Sequence, residues 1–130
     1  MFKKFKLSIP KIILLVFLFL IGFTVIFLFS LRVIIARGTT QRCHLAQAKY
    51  PGSCVEALIS YIEDQNNSLK DRNQAVWALG HWQDKQALPV LKKYYNGEEC
   101  DHKKSLCQYE LKKAIDKIEK GTLFSFLRLL

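Results

Sequence analysis

Apolar residues run from Ile12 to Leu31 without a single charge, interrupted only by Gly22, Thr24 and Ser30. At about 1.5 Å of rise per residue such a run covers about 30 Å, the thickness of a bilayer's hydrocarbon core, and it predicts a transmembrane helix. Its strongly apolar side chains favour insertion by about 5 kcal/mol. Arg32 sits at the edge, where a long cationic side chain can reach the interface. A cleaved secretory signal would carry an apolar stretch of about 7–15 residues ending at a small-residue site. This run is longer, and Leu31-Arg32-Val33 is no such site. The expectation is an uncleaved single-pass anchor over 12–36, preceded by a basic tail over 1–11.

Beyond the anchor, Val33 to Tyr50 either continues as helix or forms a stalk, placed here at 37–52 and ended by Pro51-Gly52. Val55, Leu58, Ile59 and Ile62 then fall at i, i+3, i+4 and i+7, the stripe of an amphipathic helix. A second helix is predicted from Leu69 to Trp82, with Ala75, Val76, Leu79 and Trp82 inward. A third starts at Asp84, a good N-cap, buries Leu88, Leu91 and Tyr95, and stops at Asn96-Gly97; Pro89 should bend it. A fourth is predicted from Asp101 to Lys120, with Leu111, Ala114, Ile115 and Ile118 inward and Gly121 as its stop. The closing stretch 122–130 repeats the helical spacing at Leu123, Phe126, Leu127 and Leu130. It is read as a cap on the helical core, with docking at the membrane interface or on a partner as the alternative. No segment shows the strict alternation of a half-buried strand, so the fold class is all-α.

Arg72-Asn73-Gln74-Ala75-Val76-Trp77-Ala78-Leu79-Gly80, followed by Asp84-Lys85-Gln86-Ala87-Leu88-Pro89-Val90-Leu91, resembles the HEAT-like repeats related to those of phycobilisome lyases. The resemblance implies a short α-solenoid of about two helical hairpins over 53–121, one repeat at 53–82 and a second at 84–121. The chain departs from the pattern at Gln83, where the family has a turn glycine, at Lys85, where it often has proline, and at Glu98 to Leu106, which widens the second hairpin. Two repeats are few for a free-standing solenoid, so the open ends need covering.

The net charge of +9 is unevenly placed. Residues 1–42 hold seven Lys/Arg and no acid, whereas residues 43–130 hold thirteen against eleven Asp/Glu. That distribution suits anionic head groups around the span and excludes a nucleic-acid footprint on the domain. Lys3, Lys4, Lys6 and Lys11 precede the span, and Arg32, Arg37 and Arg42 follow it, which favours a cytoplasmic N-terminus by a small margin. The cysteines add to this. Cys43, Cys54, Cys100 and Cys107 all lie in the small domain, a density that belongs to an oxidising compartment. The domain is therefore expected outside the cytoplasm, facing the periplasm if the source is bacterial. Pairing within each neighbourhood, Cys43 with Cys54 and Cys100 with Cys107, would contribute about 2.5–3 kcal/mol per bridge. The other two connectivities stay open at this point.

Little in the sequence carries chemistry. Cys100, His102 and Cys107, joined by Cys43 or His44, offer metal-ligating types, but their spacing matches no zinc pattern. A catalytic cysteine with His81 or His102 has nothing to bring the two together. No haem, redox-pair or phosphate-loop motif is present, so no cofactor is expected and the chain is read as a non-enzyme. Glu63-Asp64 and Glu98-Glu99 read as solvated loop charge, and Lys103-Lys104 and Lys112-Lys113 as a solvated helix face. Asn73, Trp77 and His81 are less bland: they fall at i, i+4 and i+8 on the side of the second helix away from its apolar stripe. A tryptophan beside a histidine there suits a partner-binding surface, or else a ring packed under the stalk, the tail or the lipid interface. The expected function is a membrane-tethered protein–protein interaction module. Its alternatives are an accessory single-pass subunit, whose Gly22, Thr24 and Ser30 would pack against other spans, and a metal- or thiol-dependent envelope protein.

Overall fold

The structure, a computed structural model, describes residues 9–101 and 103–121. The tail at 122–130, most of the basic tail at 1–11 and His102 lie outside the described residues. Among the described residues all regular structure is helical: α1 (Ile9–Gln47), α2 (Cys54–Glu63), α3 (Leu69–Trp82), a 3-10 turn (Lys85–Ala87), α4 (Leu88–Tyr94) and α5 (Gln108–Lys120). The chain divides into two units between Ala36 and Arg37.

In the first unit α1 is long and apolar enough to cross a membrane. The hydroxyls of Thr24 and Ser30 donate to the carbonyls of Leu20 and Ile26, both at 2.8 Å. Each polar group on the run is thus satisfied by its own helix, as an apolar solvent requires.

The second unit takes its core from every helix. Leu58 and Ile62 of α2, Val76 and Leu79 of α3, Leu91 of α4 and Leu111 of α5 are fully buried. The last turns of α1 join them: Thr39, Cys43 and Ala46 are buried, so residues 37–47 are a packed part of this unit rather than a spacer. Disulfides join Cys43 to Cys54 and Cys100 to Cys107, with Cα–Cα distances of 5.3 and 4.6 Å. These are the pairs the spacing favoured.

α3 sits in the middle, packed on α2 and on α5. It starts at Ser68, whose hydroxyl accepts from the Asp71 amide at 3.1 Å, and ends at Gln83 in the left-handed conformation (φ 54°). With neighbours on two sides it buries more than one stripe: Arg72, Ala78 and Gly80 join Ala75, Val76 and Leu79. Gly80 meets α5 at close range. A β-carbon there would lie 2.9 Å from both Cα and Cβ of Ala114, so the two backbones touch where only hydrogen fits. Arg72, 7% exposed, donates from Nε to the Ile62 carbonyl at 2.7 Å near the end of α2, and its guanidinium lies 5.8 Å from the Tyr94 ring centre. One cation thereby ties α2, α3 and α4 together.

Three expectations need correction. Trp82 and Tyr95, assigned inward by helical spacing, are both 37% exposed. Trp82 is the last residue of α3 and Tyr95 follows the end of α4, so neither has a helix turn beyond it to be covered. The third helix is split: Asp84 caps a 3-10 turn by accepting from the Gln86 amide at 2.8 Å, and α4 begins only where Pro89 can occupy its first turn. α5 starts at Gln108, seven residues later than the pattern suggested. Asp101 accepts from the Lys103, Lys104 and Ser105 amides instead, making a turn that the Cys100–Cys107 bond closes. The inward set Leu111, Ala114, Ile115 and Ile118 is buried as expected.

The link after α1 is clasped to the link after α2. Asp64 accepts from the Tyr50 hydroxyl, from Lys49 at 3.3 Å and from the Asn66 amide at 2.9 Å, while Asn67 donates to the Tyr50 oxygen at 2.9 Å. The Tyr50 hydroxyl, then the Asn66 amide, hold the Asp64 carboxyl down to about 2 from an ordinary 3.8. The folded state therefore prefers the carboxylate. Its stabilising effect is fully present above about pH 4 and disappears as pH falls through 2. In urea titrations of the full chain in detergent, wild type should lose stability across that window, and Asp64→Asn should be weaker at pH 7 and flatter between pH 4 and 2. Parallel curves for the two proteins would show that the clasp contributes nothing.

Candidate functional site

Asn73, Trp77 and His81 lie along α3 one turn apart, and the structure gives each a neighbour inside the second unit. Asn73 is drawn inward: its Oδ1 accepts from the Cys107 amide at 2.8 Å, satisfying a donor at the start of α5. Trp77 is half-buried against the core. Its ring crosses α1 at Gly38, where a β-carbon would stand 3.2 Å from Cη2. The ring also lies beside that of His81, centre to centre 4.5 Å. Of the two readings of this tryptophan, packing under the segment that follows the span is what the geometry displays.

His81 faces α5. Its Nδ1 is 2.9 Å from the Trp77 carbonyl and its Nε2 is 3.0 Å from the Lys117 ammonium. A carbonyl can only accept and an ammonium can only donate, so Nδ1 carries the ring's proton and donates to the Trp77 carbonyl, while Nε2 accepts a hydrogen bond from the Lys117 ammonium. The ring is neutral. Burial pushes its pKa below the usual histidine value, the Trp77 carbonyl opposes that, and Lys117 and Lys113 lower it further. Burial followed by the Lys113 charge likewise lowers Lys117.

Lys117 belongs to a row. Tyr109, Lys112, Lys113, Asp116, Lys117 and Lys120 line one open groove along the outer side of α5. Lys120 pairs with Asp116 at 2.7 Å, and Lys113 sits 5.6 Å from the Tyr109 ring centre. Tyr109 is 65% exposed. Sequence reading took Lys112-Lys113 as ordinary solvated charge. The signal that could have found the row is the lysine spacing itself, at 113, 117 and 120, on the side of α5 opposite its apolar stripe.

The metal and thiol arrangements lose their ligands. All four cysteines are in disulfides, so neither Cys100 nor Cys107 offers a thiolate, and His102 lies outside the described residues. His44 is exposed on α1. Among the described residues no group of three His, Cys, Asp or Glu side chains is placed to hold a metal ion.

Comparison with known proteins brings no relative: no family model, no curated protein and no solved structure matches the chain.

Proposed function

We propose that this chain is a membrane-tethered protein–protein interaction module: a single-pass anchor with a cytoplasmic N-terminus, carrying an extracytoplasmic, disulfide-stapled helical domain of HEAT-like type. The observation that carries the reading is aromatic. Trp82, Tyr95 and Tyr109 all stand partly or largely exposed on a domain this small. Tryptophan and tyrosine are the side chains that most often supply the binding energy of protein interfaces, because they bury much area at little entropic cost. Two bridges in one small domain support an oxidising compartment, and the basic residues before α1 support a cytoplasmic start.

An accessory subunit that binds through its span is the rival. Thr24 and Ser30 donate to carbonyls of their own helix, so neither hydroxyl needs a second span as its acceptor. The test places a photo-crosslinking amino acid at position 82 or 95 in native membranes. A discrete adduct that survives exchange of residues 12–31 for an unrelated anchor is the expected result. An adduct lost on that exchange transfers the function to the span, and no adduct at either position removes the adaptor reading.

A further inference from the structure

The lysine row on α5 has more positive charge than the domain around it explains. Residues 43–130 are close to neutral, yet four lysines line this one groove. Among the described residues only Lys120 of the four has a carboxylate at its ammonium, that of Asp116. Lys113 rests by an aromatic ring, and Lys117 is held against a neutral imidazole, with the Glu110 charge acting on it from a distance; within the groove Asp116 is the one carboxylate beside four lysines, so a positive excess is left. A net excess of cations crowded together favours a docking anion.

The shape of the row narrows the anion. From Tyr109 to Lys120 it extends along three turns of helix, about 16 Å, with charges repeating roughly every turn. Carboxylates along one side of an acidic helix, or along an extended acidic segment, repeat on the same scale. A lipid surface fits less well. Interfacial helices bury an apolar face in the bilayer, and the apolar face of α5, Leu111, Ala114, Ile115 and Ile118, is already spent on the core. We infer that the groove formed by Tyr109, Lys112, Lys113, Lys117 and Lys120 is a docking site for an acidic segment of a partner protein. Lys117 sits at its floor, positioned by His81, and Tyr109 offers an aromatic surface beside the charges. The inference rests on the adaptor reading and names the partner's chemistry.

The test uses the full chain in nanodiscs of zwitterionic phosphatidylcholine and a fluorescein-labelled oligoglutamate of about ten residues as the probe. Binding read by anisotropy should saturate at one peptide per chain and weaken at least about five-fold between roughly 50 and 200 mM NaCl. Lys112, Lys113 and Lys120 are exposed, so changing all three to Glu leaves the core intact, as circular dichroism would verify. That variant should bind at least about ten-fold more weakly, whereas the triple Arg variant should stay within about three-fold of wild type. No saturable binding by wild type, or equal binding by the Glu variant, overturns the inference. So does photolabelling of phosphatidylglycerol, in mixed nanodiscs, from a photo-reactive residue at position 113 that oligoglutamate fails to suppress, which would assign the row to lipid. Crosslinks at positions 82 and 95 report on the adaptor reading separately: adducts without oligoglutamate binding overturn only this inference.

Discussion

Gly80→Val should unfold the second unit or bring it close to unfolding. On an exposed helix, giving a glycine a side chain raises helix propensity, by about 1 kcal/mol for alanine and less for valine. Here the first added carbon falls 2.9 Å from the Ala114 Cα. A backbone atom cannot rotate away, so α3 and α5 must separate, and the contacts of Val76, Leu79, Leu111 and Ile115 loosen with them. Overpacking of this kind costs about 3 kcal/mol, against a total of about 5 for a small domain. Gly80→Ala should lose about 1–2 kcal/mol, opposite in sign to its propensity. Urea unfolding of the full chain in detergent, followed by far-ultraviolet circular dichroism, measures both. A Gly80→Ala variant more stable than wild type would mean that the two helices are not in contact at this point.

Removing both disulfides should be comparably severe. The bridges span 11 and 7 residues, and loops of that length contribute about 2.5–3 kcal/mol apiece. Cys43→Ser with Cys54→Ser should cost more than its own loop entropy, because Cys43 brings the last turns of α1 onto the core and Ala46 with them. Cys100→Ser with Cys107→Ser should act more locally, loosening the turn at 100–107 and the Asn73 bond that caps α5. Thiol labelling in native membranes should find no reactive cysteine without reductant and four after it. Free labelling without reductant would remove the bridges and, with them, the argument for an oxidising compartment. Unchanged unfolding midpoints in the serine variants would mean that the bridges form but stabilise nothing.

The helices themselves were largely legible. The α3 range Leu69–Trp82 and the inward side of α5 follow from apolar spacing, and Asp84 and Pro89 punctuate the link between α3 and α4. The pairing of neighbouring cysteines was legible from their spacing. What sequence missed depends on how many neighbours a helix has. A one-stripe picture of α3 left Asn73, Trp77 and His81 on a free side, but α5 and Gly38 of α1 occupy that side. The same picture sent Trp82 inward, although it stands at the helix end. Periodicity describes which side of a helix is apolar; it does not say where the helix stops being covered. The α5 groove was missed for a different reason. A lysine row reads as ordinary solubility until its counter-charges are known, and these come from three-dimensional neighbours.

Both bridges join cysteines that are consecutive in the chain: the first with the second, the third with the fourth. On the proposed topology the N-terminus stays behind and the chain beyond the anchor crosses in sequence order, so the cysteines would reach the oxidising side in that order. An oxidase that couples each arriving thiol to the one before it would make the native pairs directly, with the first bridge closed before α3 has left the translocation channel. Two of the three possible connectivities would require a cysteine to wait unpaired while others pass. Consecutive pairing is thus the one connectivity of the three that can close in order of arrival, with no bond broken and remade.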